Sequence, residues 1–237
     1  MNFKQMNYHK QKNLLFVFLL ISTLASAQVG DLRNRLAIGI NGGINMSKVS
    51  FNPTIKQNSL NGINGGITIR YTCEKYFSTL CSLQLETNYS QRGWNENIDD
   101  GSNNTYQRTI NYLEIPFMAH LGWGKEQKGL QFFLNAGPQA NIYLSDKEEK
   151  GGGEWDISNR PNDVTEQYGK AVDNKFDYGI VMGIGFELTT KLGHFTLEGR
   201  YYYGLGDVFG ATKKDYFSRS GNSSTIVKFS YLIDLTK

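Results

Sequence analysis

The chain has 237 residues, a formal net charge of +3 and 39% hydrophobic residues, a low share for a helical membrane protein. The first 27 residues hold three Lys and no acid, so the remainder is close to neutral, which removes the electrostatic case for nucleic-acid binding. There are 14 Tyr, 14 Phe and 26 Gly but only 4 Pro, a balance that suits a closed antiparallel sheet with aromatic girdles.

Residues 1–27 read as an export signal. Lys4, Lys10 and Lys12 form a positive leader, residues 14–24 an apolar run, and Ala25-Ser26-Ala27 an A-x-A cleavage pattern. The run is too short to span a bilayer, and no Cys follows the cleavage point to carry a lipid anchor. The mature chain of about 210 residues, 28–237, is expected to be one domain.

From there the hydrophobic period is two. Glycine-rich alternating segments cover 36–48 and 63–71, and sharper ones follow at 83–89, 113–121, 132–142, 176–188, 195–203 and 225–235. In the last, Thr225, Val227, Phe229, Tyr231 and Ile233 alternate with Ile226, Lys228, Ser230, Leu232 and Asp234. That makes about eight strands, each near the ~9–11 residues that cross a bilayer when tilted. Links at 74–79, 124–129 and 191–193 are short; those at 50–59, 95–104, 145–174 and 207–222 are long. Short turns on one side and long loops on the other are the layout of an outer-membrane barrel with its turns and both chain ends in the periplasm. The expected fold is therefore all-β, an eight-stranded antiparallel up-and-down transmembrane β-barrel in the outer membrane of a Gram-negative cell. Outer-membrane lipid would surround it.

A soluble barrel also alternates, with its apolar face inward. The polar face here holds Arg70, Glu86, Glu114, His120, Glu187, Glu198, Arg200, Lys228 and Asp234 among many small residues. Small residues and paired ions fill a narrow lumen, and the long apolar side chains opposite them suit lipid. Arg70, Glu86, Glu114, Glu187, Glu198, Arg200 and Lys228 are the candidate lumen charge network. It would hold strand register or, alternatively, gate a narrow pore.

Several segments then resemble a known family. Tyr112-Leu113-Glu114-Ile115-Pro116, Asn135-Ala136-Gly137-Pro138, Phe176-Asp177-Tyr178-Gly179 and Glu198-Gly199-Arg200-Tyr201 are similar to signatures of the PorT-like outer-membrane β-barrel proteins common in Bacteroidetes. The resemblance implies an eight-stranded outer-membrane barrel. It also raises a link to envelope or secretion-system proteins as partners, since some members assist type IX secretion.

Other sites carry weaker signals. Cys73 and Cys81 flank the first short turn; the oxidising periplasm favours a disulfide there, and two unpaired thiols are the alternative. His120 and His194 have no Ser and acid at triad spacing, so the expectation is no catalytic set, no cofactor and no metal, with a lipid-modifying enzyme as an alternative. Asp99-Asp100-Gly101 lacks the ligand spacing of an EF-hand and reads as a solvated loop. The longest loop, with Lys147-Glu148-Glu149-Lys150 and Trp155, reads as mobile, and Trp155 as its exposed partner contact.

Overall fold

The computed structural model describes residues 30–236 except 156, 159 and 161–163. The export signal expected at 1–27 lies outside the described residues. Eight long strands run in chain order: β1 (Asp31–Asn52), β3 (Leu60–Tyr76), β4 (Thr79–Glu96), β5 (Thr105–Gly124), β6 (Gly129–Gly151), β7 (Phe176–Thr190), β8 (Gly193–Gly204) and β9 (Arg219–Asp234). A two-residue strand, β2 (Gln57–Asn58), pairs with the outer end of β4. Each long strand pairs antiparallel with its sequence neighbours, and β1 pairs with β9 from Ala37↔Asp234 to Asn52↔Arg219. The ring is closed, so no sheet edge is left with unpaired backbone groups in hydrocarbon.

The alternation sorts side chains by face. Outward residues are apolar and exposed: Ile40 is 67%, Met182 58% and Ile67 52% accessible. Inward residues are polar and buried, with Glu86 at 1% and Lys228 at 0%. A soluble barrel would reverse this, so the apolar exterior is a lipid face. Outward aromatics band both ends: Trp123, Phe132 and Phe186 in edge and stacked contacts near the short turns, Phe176 and Tyr178 near the long loops. These are the girdles that sit at the membrane interfaces.

The short turns fall where the sequence placed them. Two of them, β3 to β4 and β7 to β8, leave only two residues between strands, and in the latter Gly193 has φ +137°, with a Cβ expected only 2.3 Å from Leu232 O, so glycine is required. Cys73 and Cys81 flank the first turn but are free thiols. The expected disulfide is not made: the register shifts between Thr72 and Glu74, so Cys81 faces Glu74, and Cys73 Sγ lies 3.8 Å from Tyr71 O on its own strand.

On the other side the strands outrun the bilayer. β5 and β6 stay paired to Thr105↔Gly151, so 145–151 is strand rather than loop. Lumen-facing positions also change character there. On β4 the series Glu86, Asn88, Ser90 and Arg92 ends in Trp94, and on β5 Glu114 gives way to Tyr112, Ile110 and Arg108. Loop residues Ile55, Val164, Val172, Val208, Phe209 and Phe217 drop onto this apolar ring. Phe51 packs edge-on to Trp94 at 5.0 Å, and Phe209 stacks on Phe217 at 5.6 Å. Each such burial contributes about 1.5–3 kcal/mol, enough in sum to hold the loops as a cap.

The cap corrects two loop expectations. Trp155, expected to be exposed, is half-buried, 5.4 Å from the Tyr168 ring with Arg160 4.6 Å over its face. Asp100 is buried against Arg160 instead of solvated, while Asp99 is exposed. Both differ for one reason: the apolar mouth draws neighbouring loops inward, and cation–π and ionic contacts then pin them.

The lipid assignment has a direct test. Ile67→Arg, at the middle of β3 on the outer face, is expected to cost about 2–4 kcal/mol of folding free energy in vesicles, measured by denaturant titration. A water-facing position would tolerate arginine with little change.

Candidate functional site

The lumen is the place where the polar residues converge. Inward positions of all eight long strands contribute, because side chains alternate between the two faces along each strand, with the parity reset only at bulges such as the one between Asn111 and Tyr112. The network residues expected from the sequence, Arg70, Glu86, Glu114, Glu187, Glu198, Arg200 and Lys228, are all buried. Their ion pairs fall into three groups, two of them joined through Gln84, which accepts from Arg70 and donates to Glu86.

The central group ties opposite walls. Arg200 on β8 donates to both oxygens of Glu86 on β4, at 2.9 Å each, and to Glu198 at 2.8 and 2.9 Å. Lys228 on β9 donates to Glu86 Oε2 at 2.7 Å. Two cations balance two anions, so the group is neutral. Space for it is made on β7, where a Cβ on Gly183 would stand 2.1 Å from Glu198 Oε1. Asn135 on β6 adds a hydrogen bond to Glu198 at 3.0 Å.

The periplasmic group joins Arg70 of β3 to Glu187 of β7, a contact between facing walls. Gln84 accepts from Arg70 Nε at 2.9 Å. His194 sits between Glu187 at 2.8 Å and Asp234 at 3.0 Å, and His120 contacts Asn135 at 2.8 Å. Both ring nitrogens of His194 face carboxylates, and Thr189 is its hydroxyl neighbour at 3.2 Å. That is an ion-paired histidine, not a base aligned on a serine.

Below this group the turn between β5 and β6 reaches across the mouth. Glu126 meets Arg33 at 2.6 Å, Arg35 at 2.7 Å and Lys75 at 3.4 Å. Partial burial pushes the Glu126 carboxyl up, but the hydrogen bond from Arg33 and the surrounding cations outweigh it and hold it below its ordinary value.

The outer group was only half legible beforehand. Glu114 pairs with Arg92, whose Nη2 is 2.6 Å away and whose guanidinium lies 4.0 Å over the Tyr202 ring. Asp177 Oδ2 accepts from Tyr202, Asn141 and Asn222 at 3.1 to 3.3 Å. Arg92 and Asp177 were not singled out from the sequence, although Arg92 continues the parity of Glu86, Asn88 and Ser90. Above them Arg108 bridges Asp146 at 2.6 Å and Glu148 at 2.7 Å, and Glu148 accepts from the Gly169 amide at 3.0 Å. Glu148, expected in a mobile stretch, thus clamps the cap to the barrel rim.

The sequence matches the family described as outer membrane protein beta-barrel domain over residues 26–210. The chain belongs to that family. It is an integral protein of the outer membrane. No curated protein matches its sequence. Among solved structures it is similar to the attachment invasion locus protein Ail of Yersinia pestis, in a complex with the heparin analogue sucrose octasulfate, with 11% identity, 85% of this chain and 100% of that one covered, and a TM-score of 0.36. It is also similar to Neisserial surface protein A, with 10% identity, 84% and 96% coverage and a TM-score of 0.43. The outer membrane protein OprG from Pseudomonas aeruginosa matches at 10% identity, 86% and 98% coverage and a TM-score of 0.43.

Two measurements probe the lumen of this outer-membrane barrel. Glu86→Leu leaves Arg200 and Lys228 short of an anion and is expected to cost about 3–5 kcal/mol, with part regained on adding Lys228→Met, by unfolding titration. At the mouth, a depressed carboxylate contributes stability above its unfolded pKa and loses it as pH falls through the folded value. Glu126→Gln is therefore expected to lower the unfolding temperature at neutral pH, the difference from wild type vanishing in acid.

Proposed function

We propose that this protein is a non-enzymatic outer-membrane barrel of the PorT-like type, which anchors or scaffolds an envelope or secretion assembly. Residues 1–27 act in this reading as the export leader, removed after Ala27. The observation that carries the proposal is a lumen occluded at three levels. Ion pairs from Arg70 to Glu187 and from Arg200 to Glu86 cross it, Arg92, paired with Glu114 on the adjacent strand, reaches over the Tyr202 ring of the facing wall, and the aromatic cap lies above. A barrel filled in this way offers its rims and its lipid face to other molecules rather than a passage. The signatures at 112–116 and 198–201 support the PorT-like assignment, since their glutamates are members of the lumen groups.

A narrow pore is the second reading, and one observation favours it. Asn41, Asn45, Asn64, Gln139 and Asn222 each hold a buried side-chain oxygen with no hydrogen-bond partner among the described residues. Buried polar atoms of that kind are normally satisfied by internal water, so the lumen between the ion groups and the cap suits a hydrated chamber.

Purification from native outer membranes in mild detergent tests the first reading, with envelope or secretion proteins expected to co-purify in fixed proportion. Planar-bilayer recordings test the second. Silent wild-type barrels are expected; steady single-channel currents that change on Arg200→Ala would replace the scaffold by a pore.

A further inference from the structure

Two grooves on the outer surface of the barrel meet over β8 and β9. The lower, of about 510 Å³, is lined by Leu134, Met182, Ile184 and Gly199. The upper, of about 320 Å³, is lined by Met46, Lys48, Ser59 and Ser223. Tyr201 and Thr225, register partners on neighbouring strands, line both, so the two form one trough.

Its floor is a glycine the fold does not need. Several strand glycines here are forced by crowding: a Cβ at Gly39, Gly66 or Gly137 would stand 2.0 Å from a backbone oxygen. A Cβ at Gly199 meets nothing within 4 Å, and its φ is ordinary. Glycine weakens a strand relative to the branched residues that favour a lipid face, so what it provides at this position is space. The walls around that space, Met182, Ile184 and Tyr201, are exposed to the bilayer.

Its top is cationic. Along the outer face of β1 the residues Ile38, Ile40, Ile44 and Met46 are apolar, and Lys48 is the next outward side chain. β1 runs from the periplasmic turns to the extracellular loops, which places Lys48 at the outer-leaflet headgroups. Lys48 is exposed and makes no ion pair among the described residues, whereas nearby Lys56 pairs with Asp99 and Arg219 with Asp207. Ser223 is its register partner on β9, its hydroxyl donating a long hydrogen bond of 3.4 Å to Lys48 O that a phosphate oxygen can replace.

An unpaired ammonium and hydroxyls above an apolar trough match the two ends of one lipid. We propose that this trough binds a single phosphate-bearing lipid of the outer leaflet, its phosphate at Lys48 and Ser223 and an acyl chain laid over Gly199. Charge complementarity at the top and the direction of the trough, from headgroup level towards the bilayer centre, select a lipid over a second barrel.

The test uses the full-length protein in nanodiscs of phosphatidylcholine doped with phosphorylated lipid A, read by native mass spectrometry. One lipid A per barrel is expected to survive release. Lys48→Glu is expected to lower the retained fraction about fivefold or more, the worth of roughly 1 kcal/mol for one lysine at an anionic lipid surface, and Lys48→Arg to keep it. Gly199→Phe fills the trough and is expected to abolish retention while the barrel keeps its folded electrophoretic mobility. Thr87→Phe, equally exposed on β4, is expected to retain the lipid. Equal retention by Lys48→Glu and wild type, or release of lipid-free dimers, would overturn the proposal. Lys48→Glu alone decides should Gly199→Phe not fold.

Discussion

Every feature of this molecule follows from backbone hydrogen bonding in hydrocarbon. An N–H or C=O left unpaired there costs several kcal/mol, so a sheet that crosses the bilayer must close on itself. The closure is made by the pairing of β1 with β9, the two strands farthest apart in sequence, in register from Ala37 to Asn52. Once that seam is formed, one parity of each strand meets lipid and the other an enclosed space. The apolar exterior and the polar interior are consequences of closure rather than separate features.

Enclosure then sets the rules for the charges. Ions withdrawn from water are expensive unless each finds an opposite charge and hydrogen bonds at once. The central group satisfies both conditions, with Glu86 receiving Arg200 and Lys228, and Arg200 shared with Glu198. Because these residues come from β4, β8 and β9, the ion pairs also span the lumen and couple strands that share no backbone contact. They fill the interior as a hydrophobic core would, and in addition they specify register: a slip of one residue on β8 would turn Glu198 and Arg200 to lipid.

The interior is graded along its axis. At the periplasmic mouth, Glu126 is held by three cations from β1 and β3. Above the central ions, asparagines and glutamines with unpartnered oxygens line a stretch suited to water. Beyond Arg92 the lining becomes aromatic and the loops seal it. This gradient explains why long loops that look mobile in composition are folded. Their apolar residues, Val164, Phe209 and Phe217, have a complementary surface only because Trp94, Tyr106 and Ile110 face inward above the membrane.

The sequence by itself determined the strands, their short turns and the two faces, because period-two alternation and turn length are local properties that survive without knowledge of neighbours. It also named the inward ions of the central group, since parity alone sorts Glu86 and Arg200 from Leu85 and Tyr201, but not Arg92 or Asp177. It did not decide which ions meet. Arg70 finds Glu187 and Arg200 finds Glu86 across more than a hundred residues, and only the curvature of the closed sheet brings those walls within reach. For the same reason the cap was invisible: Trp155 and Asp100 sit in polar, glycine-rich segments, and their burial depends on an aromatic mouth contributed by other strands. The two thiols beside the first turn separate in the same way. Their compartment favoured a bond, and a register shift at Cys73, a property of the paired strands alone, placed Glu74 opposite Cys81 instead.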